Sequence, residues 1–223
     1  MLKFATPAPV AAVLDVPAGR IQVIAADRSD TTVEILPADP DKARDVKAAE
    51  QTTADFHDGT LRIAAAPAKN RVLGHPGSVE ITVQLPAGSR VEATTAAVEF
   101  RGVGRLGGVT LEAAQATVKI DEVDHARLTV HAGNITIGRL GGPADIHTQK
   151  GDLHITEATR GTVNLRTEHG DITIGAARHT SATLDAGTHY GRVHNTLNNA
   201  DGPAAALTIR ATTAYGDITA RSH

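Results

Sequence analysis

LTVHAGNITIG (128–138), IHTQKGDLHIT (146–156) and LRTEHGDITIG (165–175) align without gaps on Gly133, Gly151 and Gly170. Their shared pattern is apolar-x-(Val/Thr)-x-x-Gly-(Asn/Asp)-apolar-x-Ile. Apolar and polar residues that alternate at period two mark strands with one buried face. A Gly before Asn or Asp supplies a turn, because Gly takes φ > 0 without steric cost and the Asx side chain bonds nearby backbone. Each segment therefore reads as two short strands around a corner. The period and the abundance of Gly, Thr and Val exclude a helix.

Working outward, VEATTAAVEF (91–100) and LEAAQATVKI (111–120) fit with Ala96 and Ala116 in the Gly position. LDAGTHYGRV (184–193) and IRATTAYGDI (209–218) fit with two extra residues before the Gly. Two residues past the Gly position stand Val98, Val118, Ile135, Leu153, Ile172, Val193 and Ile218. Four past it stand Phe100, Ile120, Ile137, Ile155 and Ile174; five before it, Val91, Leu111, Leu128, Ile146 and Leu165. Seven past it come Val103, Val123, Leu140, Ala158 and Ala177. A repeat of about eighteen residues cannot bury its own apolar face; stacked neighbours can, while pairing the backbone. The expected fold is all-β: a β-solenoid, or β-helix-like stack, of about 18-residue rungs.

The N-terminal part follows the same grammar less regularly. LDVPAGRIQV (14–23) and ADFHDGTLRI (54–63) read as rungs around Gly19 and Gly59, and TTVEIL (31–36) and SVEITVQL (78–85) as further strands. ADPDKARDVKAAEQ (38–51) carries a helix signal, with Asp39 to cap and Pro40 in the first turn. One short helix, over about 40–51, is expected to lie over an end or side of the sheet. PAKNRVLGHPGS (67–78) reads as a basic loop and NTLNNADGPAAA (195–206) as a long polar excursion. The expectation is one domain, 1–223, with irregular rungs over 1–88 and regular repeats over 89–220.

Composition limits the function. With no Trp, two Tyr and three Phe, the core must be aliphatic, and aromatic platforms for sugars are scarce. A net charge of -3 gives no global attraction to nucleic acid or to an anionic membrane. Without Cys there are no disulfides and no Cys-ligated metals. MLKFATPAPVAAVLDV at the start has no apolar stretch long enough for a secretory leader, so a soluble cytoplasmic protein is expected unless a leader has been removed.

The laid-out repeats resemble the DUF4097 family, described as adhesin-like or β-strand-repeat proteins. The resemblance covers essentially the whole chain. It rests on the Gly-Asp-apolar-x-Ile repeats, DRSDTTVEILPADPDKARDVKAAEQT (27–52), VEITVQLPAGSRVEATTA (79–96), and the end pair THYGRVHNTL (188–197) and TAYGDIT (213–219). The wording is similar to actinobacterial members. The resemblance implies a β-solenoid-like fold, no known enzymatic activity and no catalytic residues to carry over.

Individual motifs point to little chemistry. GVGRLG (102–107) has dinucleotide-fingerprint spacing but precedes a strand pattern, whereas phosphate binding needs a helix N-terminus. The Gly-Asp turns offer one carboxylate per layer (Asp152, Asp171, Asp217), too few for a calcium shell, and Arg192 interrupts the column. His154 and His194 share an outward column with Thr173 between them, too far apart for a shared metal; His131, His169 and His189 fall near turns. Exposed histidines leave a pH-sensitive surface open. Glu99, Glu112 and Glu157 are scattered, and Arg101/Arg105 and Lys69/Arg71 are isolated basic pairs. No cofactor, metal or catalytic residue is expected.

The column just before the Gly runs Thr95, Gln115, Ala132, Lys150, His169, Tyr190 and Tyr215. Its C-terminal members, with His189, form a candidate interaction patch: Lys150, His169, His189, Tyr190 and Tyr215. The leading reading is a non-catalytic scaffold that docks a protein partner on its strand face. The alternatives are end-to-end self-assembly through the terminal rungs, with YGDITA as the bare last strand, and a small-ligand or carbohydrate binder or enzyme at the Tyr/His end.

Overall fold

The computed structural model describes residues 1–65 and 77–223. Most of the loop expected over 67–78, with Lys69 and Arg71, lies outside the described residues. The fold is all-β and β-solenoid-like, with one α-helix among the described residues. The chain divides into two compact units, residues 1–115 and 116–223.

In the first unit the strands are β1 (Leu2–Ala5), β2 (Ala11–Asp15), β3 (Ala18–Ala26) and β4 (Asp30–Pro37), then helix α1 (Ala43–Gln51), β5 (Thr53–His57), β6 (Thr60–Ala64), β7 (Val79–Pro86) and the start of β8 (Arg90–Ala132). β2 and β3 form one coil around Pro17. Strand β8 lies parallel on one side of it, with Ala12 against Val91, Leu14 against Ala93 and Ile21 against Phe100. β6 and β7 lie parallel on the other, with Leu14 against Ile63 and Val23 against Val83. Apolar residues thus stack on apolar residues, and these positions are buried. Val103, expected inward, is only half-buried; Leu106 is buried instead.

Two expectations for this unit need correction. Residues 54–63 are not a rung around a corner but an antiparallel hairpin, β5–β6. The cause is residue order: Asp58-Gly59 takes positive φ at both positions (47° and 75°), which suits a two-residue hairpin turn. The helix also starts later than 40. Asp39 does not cap it; its carboxylate accepts from the Asp41 N–H (3.1 Å) and pairs with the Lys42 ammonium (2.8 Å), forming a turn ahead of Ala43. The helix packs on β4 and β7, and its buried Asp45 accepts the Ser78 N–H at 3.0 Å.

The second unit holds the rest of β8, then β9 (Ile135–Leu140), β10 (Ala144–Lys150), β11 (Leu153–Ala158), β12 (Gly161–Arg166), β13 (Ile172–Ala176), β14 (Ala182–Tyr190), β15 (Val193–Thr196), β16 (Leu207–Tyr215) and β17 (Ile218–Ser222). All its pairings are parallel. One file runs Val118–Ile135–Leu153–Ile172–Ile218, another Ile120–Ile137–Ile155–Ile174. Leu128, Ile146 and Leu165 form a third. A register shift after Ile155 puts Ala176, not Ala177, opposite Ala158.

The order of rungs differs from the order of the chain. β16 and β17 lie between β12/β13 and β14/β15, so the terminal rung is Ala182–Thr196 rather than YGDITA. The side chains explain the choice. Leu207, Ile209, Ala211, Ile218 and Ala220 are fully buried and need a neighbour on each side. β15 instead carries Asn195 in the file of Ile174 and Ile155, and its Val193 is 46 % exposed. Residues 197–206, with a short 3-10 turn at Gly202–Ala204, carry the chain back to the inner position.

Candidate functional site

The corners of the second unit carry three files of side chains. The first is an Asx ladder. Asn134 accepts the Asp152 N–H (2.9 Å), Asp152 that of Asp171 (2.9 Å), Asp171 that of Asp217 (2.8 Å) and Asp217 that of Arg192 (2.8 Å). Each carboxylate thus closes the backbone of the next rung, and the ladder ends at Arg192. The guanidinium of Arg192 also donates to Asp217 at 3.1 Å, and these bonds hold that carboxyl below its ordinary range.

The second file is made of threonine hydroxyls. Thr167, Thr213 and Thr188 donate to the carbonyls of Gly151, Gly170 and Gly216 at 3.0–3.1 Å. The corner glycines leave no room for a side chain: a Cβ on Gly170 would sit 2.1 Å from the Gly151 carbonyl oxygen, at φ 154°. Thr148 belongs to the same file but is wholly buried, and among the described residues its hydroxyl has no partner.

The third file contains four of the five residues of the expected patch. Lys150 pairs with His169, His169 with Tyr215, and Tyr215 with Tyr190. The rings of His169 and Tyr215 stack at 4.8 Å and 9°; those of Tyr215 and Tyr190 stack at 4.9 Å and 4°. These separations equal the spacing of paired strands, so the backbone register sets the stack. Tyr215 is 50 % and Tyr190 67 % exposed. His189 is exposed beside Tyr190 but is not part of the stack. The stacking of rings in the order His169–Tyr215–Tyr190 reverses the two tyrosines relative to the chain, which sequence alignment of the column did not show.

Two of the scattered carboxylates pair with arginines. In the first unit Glu99 pairs with Arg20 (3.1 Å), and in the second Glu157 pairs with Arg139 (3.8 Å). GVGRLG lies within β8; a Cβ on Gly104 would meet the Ala25 carbonyl oxygen at 2.1 Å, so close strand approach accounts for the glycine. His154 and His194 are separated by two threonines, Thr173 and Thr219, not one, because β17 intervenes. Their separation is about 14 Å from strand spacing. Among the described residues no three His, Asp or Glu side chains gather as metal ligands. One shallow concavity is lined by Arg192, Val193, His194, Asp217 and Thr219, another by residues including Arg139, Glu157, Arg178 and His223; neither is lined by the stacked rings. No helix among the described residues is long and apolar enough to cross a membrane.

Comparison with known proteins agrees with this architecture. The family model Toastrack DUF4097 matches residues 13–221. A candidate adhesin from Parabacteroides distasonis is similar with a TM-score of 0.51 at 14% identity, over 98% of this chain and 95% of that one. A candidate adhesin from Bacteroides fragilis gives 0.46 at 13% identity, with 98% and 95% covered. A candidate cell adhesion protein from Clostridium sporogenes gives 0.39 at 10%, with 100% and 98% covered. No curated protein matches. The expectation of a cytoplasmic protein is withdrawn, because the Parabacteroides distasonis neighbour is described as an adhesin. A near-neutral, aliphatic, cysteine-free composition suits either side of a membrane and carried no compartment. With its rungs in register and the family match spanning nearly its full length, the chain belongs to the Toastrack DUF4097 family.

Proposed function

We propose that this protein is a non-catalytic interaction scaffold that docks a protein partner on the strand face of its second unit. The observation that carries the reading is the exposed, stacked file Lys150–His169–Tyr215–Tyr190. Rings held at rung spacing by the backbone lose little freedom when a partner covers them, and Tyr beside basic groups is a common anchor of interfaces. The descriptions of the structural neighbours as candidate adhesins accord with binding rather than turnover. Carboxylates that pair with arginines on the surface support no acid–base pair.

The test is affinity capture from the native cells' extract and surface fraction with the intact chain and with Tyr215→Ser and Lys150→Glu. The reading predicts a partner retained by the intact chain and weakened about tenfold or more by each substitution. Equal retention by all three proteins would contradict it.

A further inference from the structure

The terminal rung of the second unit leaves a strand edge bare. β14 pairs with β16 on one side, and among the described residues nothing pairs with its other side beyond Ala182. At Ala182 the segment 197–201 closes the edge: Asn198 O accepts the Ala182 N–H (3.0 Å) and Ser181 Oγ accepts the Asp201 N–H (3.0 Å). From Thr183 to His189 alternate residues turn their N–H and C=O groups outward, and such an edge pairs readily with another strand.

We infer that this edge is a two-fold interface with a second copy of the chain, the two β14 strands running antiparallel about Gly187. Three observations select that occupant. A head-to-tail stack of coils would need a bare coil elsewhere, but the opening coil of the first unit is paired on both sides, β2 by β6 and β8 and β3 by β7 and β8. Arg192 ends the Asx ladder by turning back on Asp217, so the terminal rung offers no Asx acceptor to a further rung in parallel register. The edge sequence is complementary to itself when reversed: pairing about Gly187 sets Asp185 opposite His189 of the second copy. Asp185, Gly187 and His189 are all exposed, on alternate positions, as one face of a strand requires. The carboxylate can accept a hydrogen bond from neutral imidazole or pair with imidazolium. Gly187 lies on the axis, and a Cβ added there meets nothing within 4 Å. The antiparallel segment extends from Asp185 to His189, because the Tyr190 C=O is turned toward β16 and accepts the Gly216 N–H.

This interface concerns the edge of β14 and does not depend on the docking reading, which concerns the stacked rings. Sedimentation of the intact chain over about 1–100 μM reads the dimer directly; the inference predicts twice 23.1 kDa, about 46 kDa, at the upper end. A monomer throughout overturns it. Because the chain has no cysteine, Gly187→Cys reports the axis alone. It is expected to form a disulfide-linked dimer under mild oxidation, since residues opposite in an antiparallel pair lie within bonding range. The exposed control Asp145→Cys is expected not to cross-link. A dimer without the Gly187→Cys cross-link overturns the edge assignment. Asp185→Lys is expected to weaken the dimer about tenfold, and Asp185→Lys with His189→Asp to restore it. A dimer indifferent to both places the interface elsewhere and likewise overturns the inference.

Discussion

The first unit finishes its edges and the second does not. In the first, the parallel coil passes into antiparallel strands: β7 pairs with β4 and β4 with β1, while β6 turns back as β5. Phe4 of β1 and Phe56 of β5 meet at 5.5 Å, which draws the two edge strands together. Lys3 and Arg28 flank Asp30 on the outer strand pair, and charged edges of this kind resist pairing with other chains. In the second unit every strand pairing among the described residues is parallel, and the file of inward residues ends in Asn195 and a half-exposed Val193. Stability is therefore expected to reside in the inner rungs.

That contrast can be broken or sharpened by substitution. The largest effect is expected at an inner corner. Gly170→Ala forces a Cβ into the Gly151 carbonyl and is expected to cost more than about 3 kcal/mol or to prevent folding. Gly59→Ala, at the open hairpin tip of the first unit, meets nothing within 4 Å and is expected to cost about 1 kcal/mol for its positive φ. Urea denaturation of the two variants compares them. Within one file, Ile172→Ala should cost about 3 kcal/mol, whereas Val193→Ala, already half-exposed, should cost under about 0.5 kcal/mol. Equal costs would mean the terminal rung is buried after all. Thr148→Val removes a buried hydroxyl that has no partner among the described residues, next to Val130 of the adjoining rung, and should raise stability by about 1 kcal/mol.

The smallest expected effect is on pH dependence. Bonds from Arg28 and Lys3 hold Asp30 down to about 2, against 3.8 unperturbed, and Arg192 holds Asp217 below its ordinary value. A carboxyl whose folded pKa is depressed adds stability that is complete above its unfolded pKa and is lost as pH falls through the folded one. Stability should therefore decline between about pH 4 and 2, and Asp30→Asn should flatten that decline in chemical denaturation. An unchanged slope would remove Asp30 from the account.

Much of this was legible in the sequence, for a physical reason. Files such as Val118–Ile135–Leu153–Ile172 repeat because neighbouring rungs must bury like side chains against like, so the register is written in the residues themselves. The ring file was legible by the same route. Rung order was not, because parallel pairing constrains the register of a neighbour but not which repeat is the neighbour. A cue was present in Asn195, a polar residue in an inward file, which suits only a terminal rung. The hairpin at 54–63 had a cue as well: Asp-Gly builds a two-residue reversal, whereas Gly-Asp builds a rung corner. Asp39 could equally cap a helix or form a local turn, and the nearby Lys42 ammonium favoured the turn.

The central claim is that residues 207–222 lie inside the stack and 182–196 at its end. Two double-cysteine variants of this cysteine-free chain test it most directly. The structure sets Thr173 opposite Thr219, while stacking in chain order would set Thr173 opposite His194. The account predicts an intramolecular disulfide in Thr173→Cys/Thr219→Cys and none in Thr173→Cys/His194→Cys. The reverse result would contradict it.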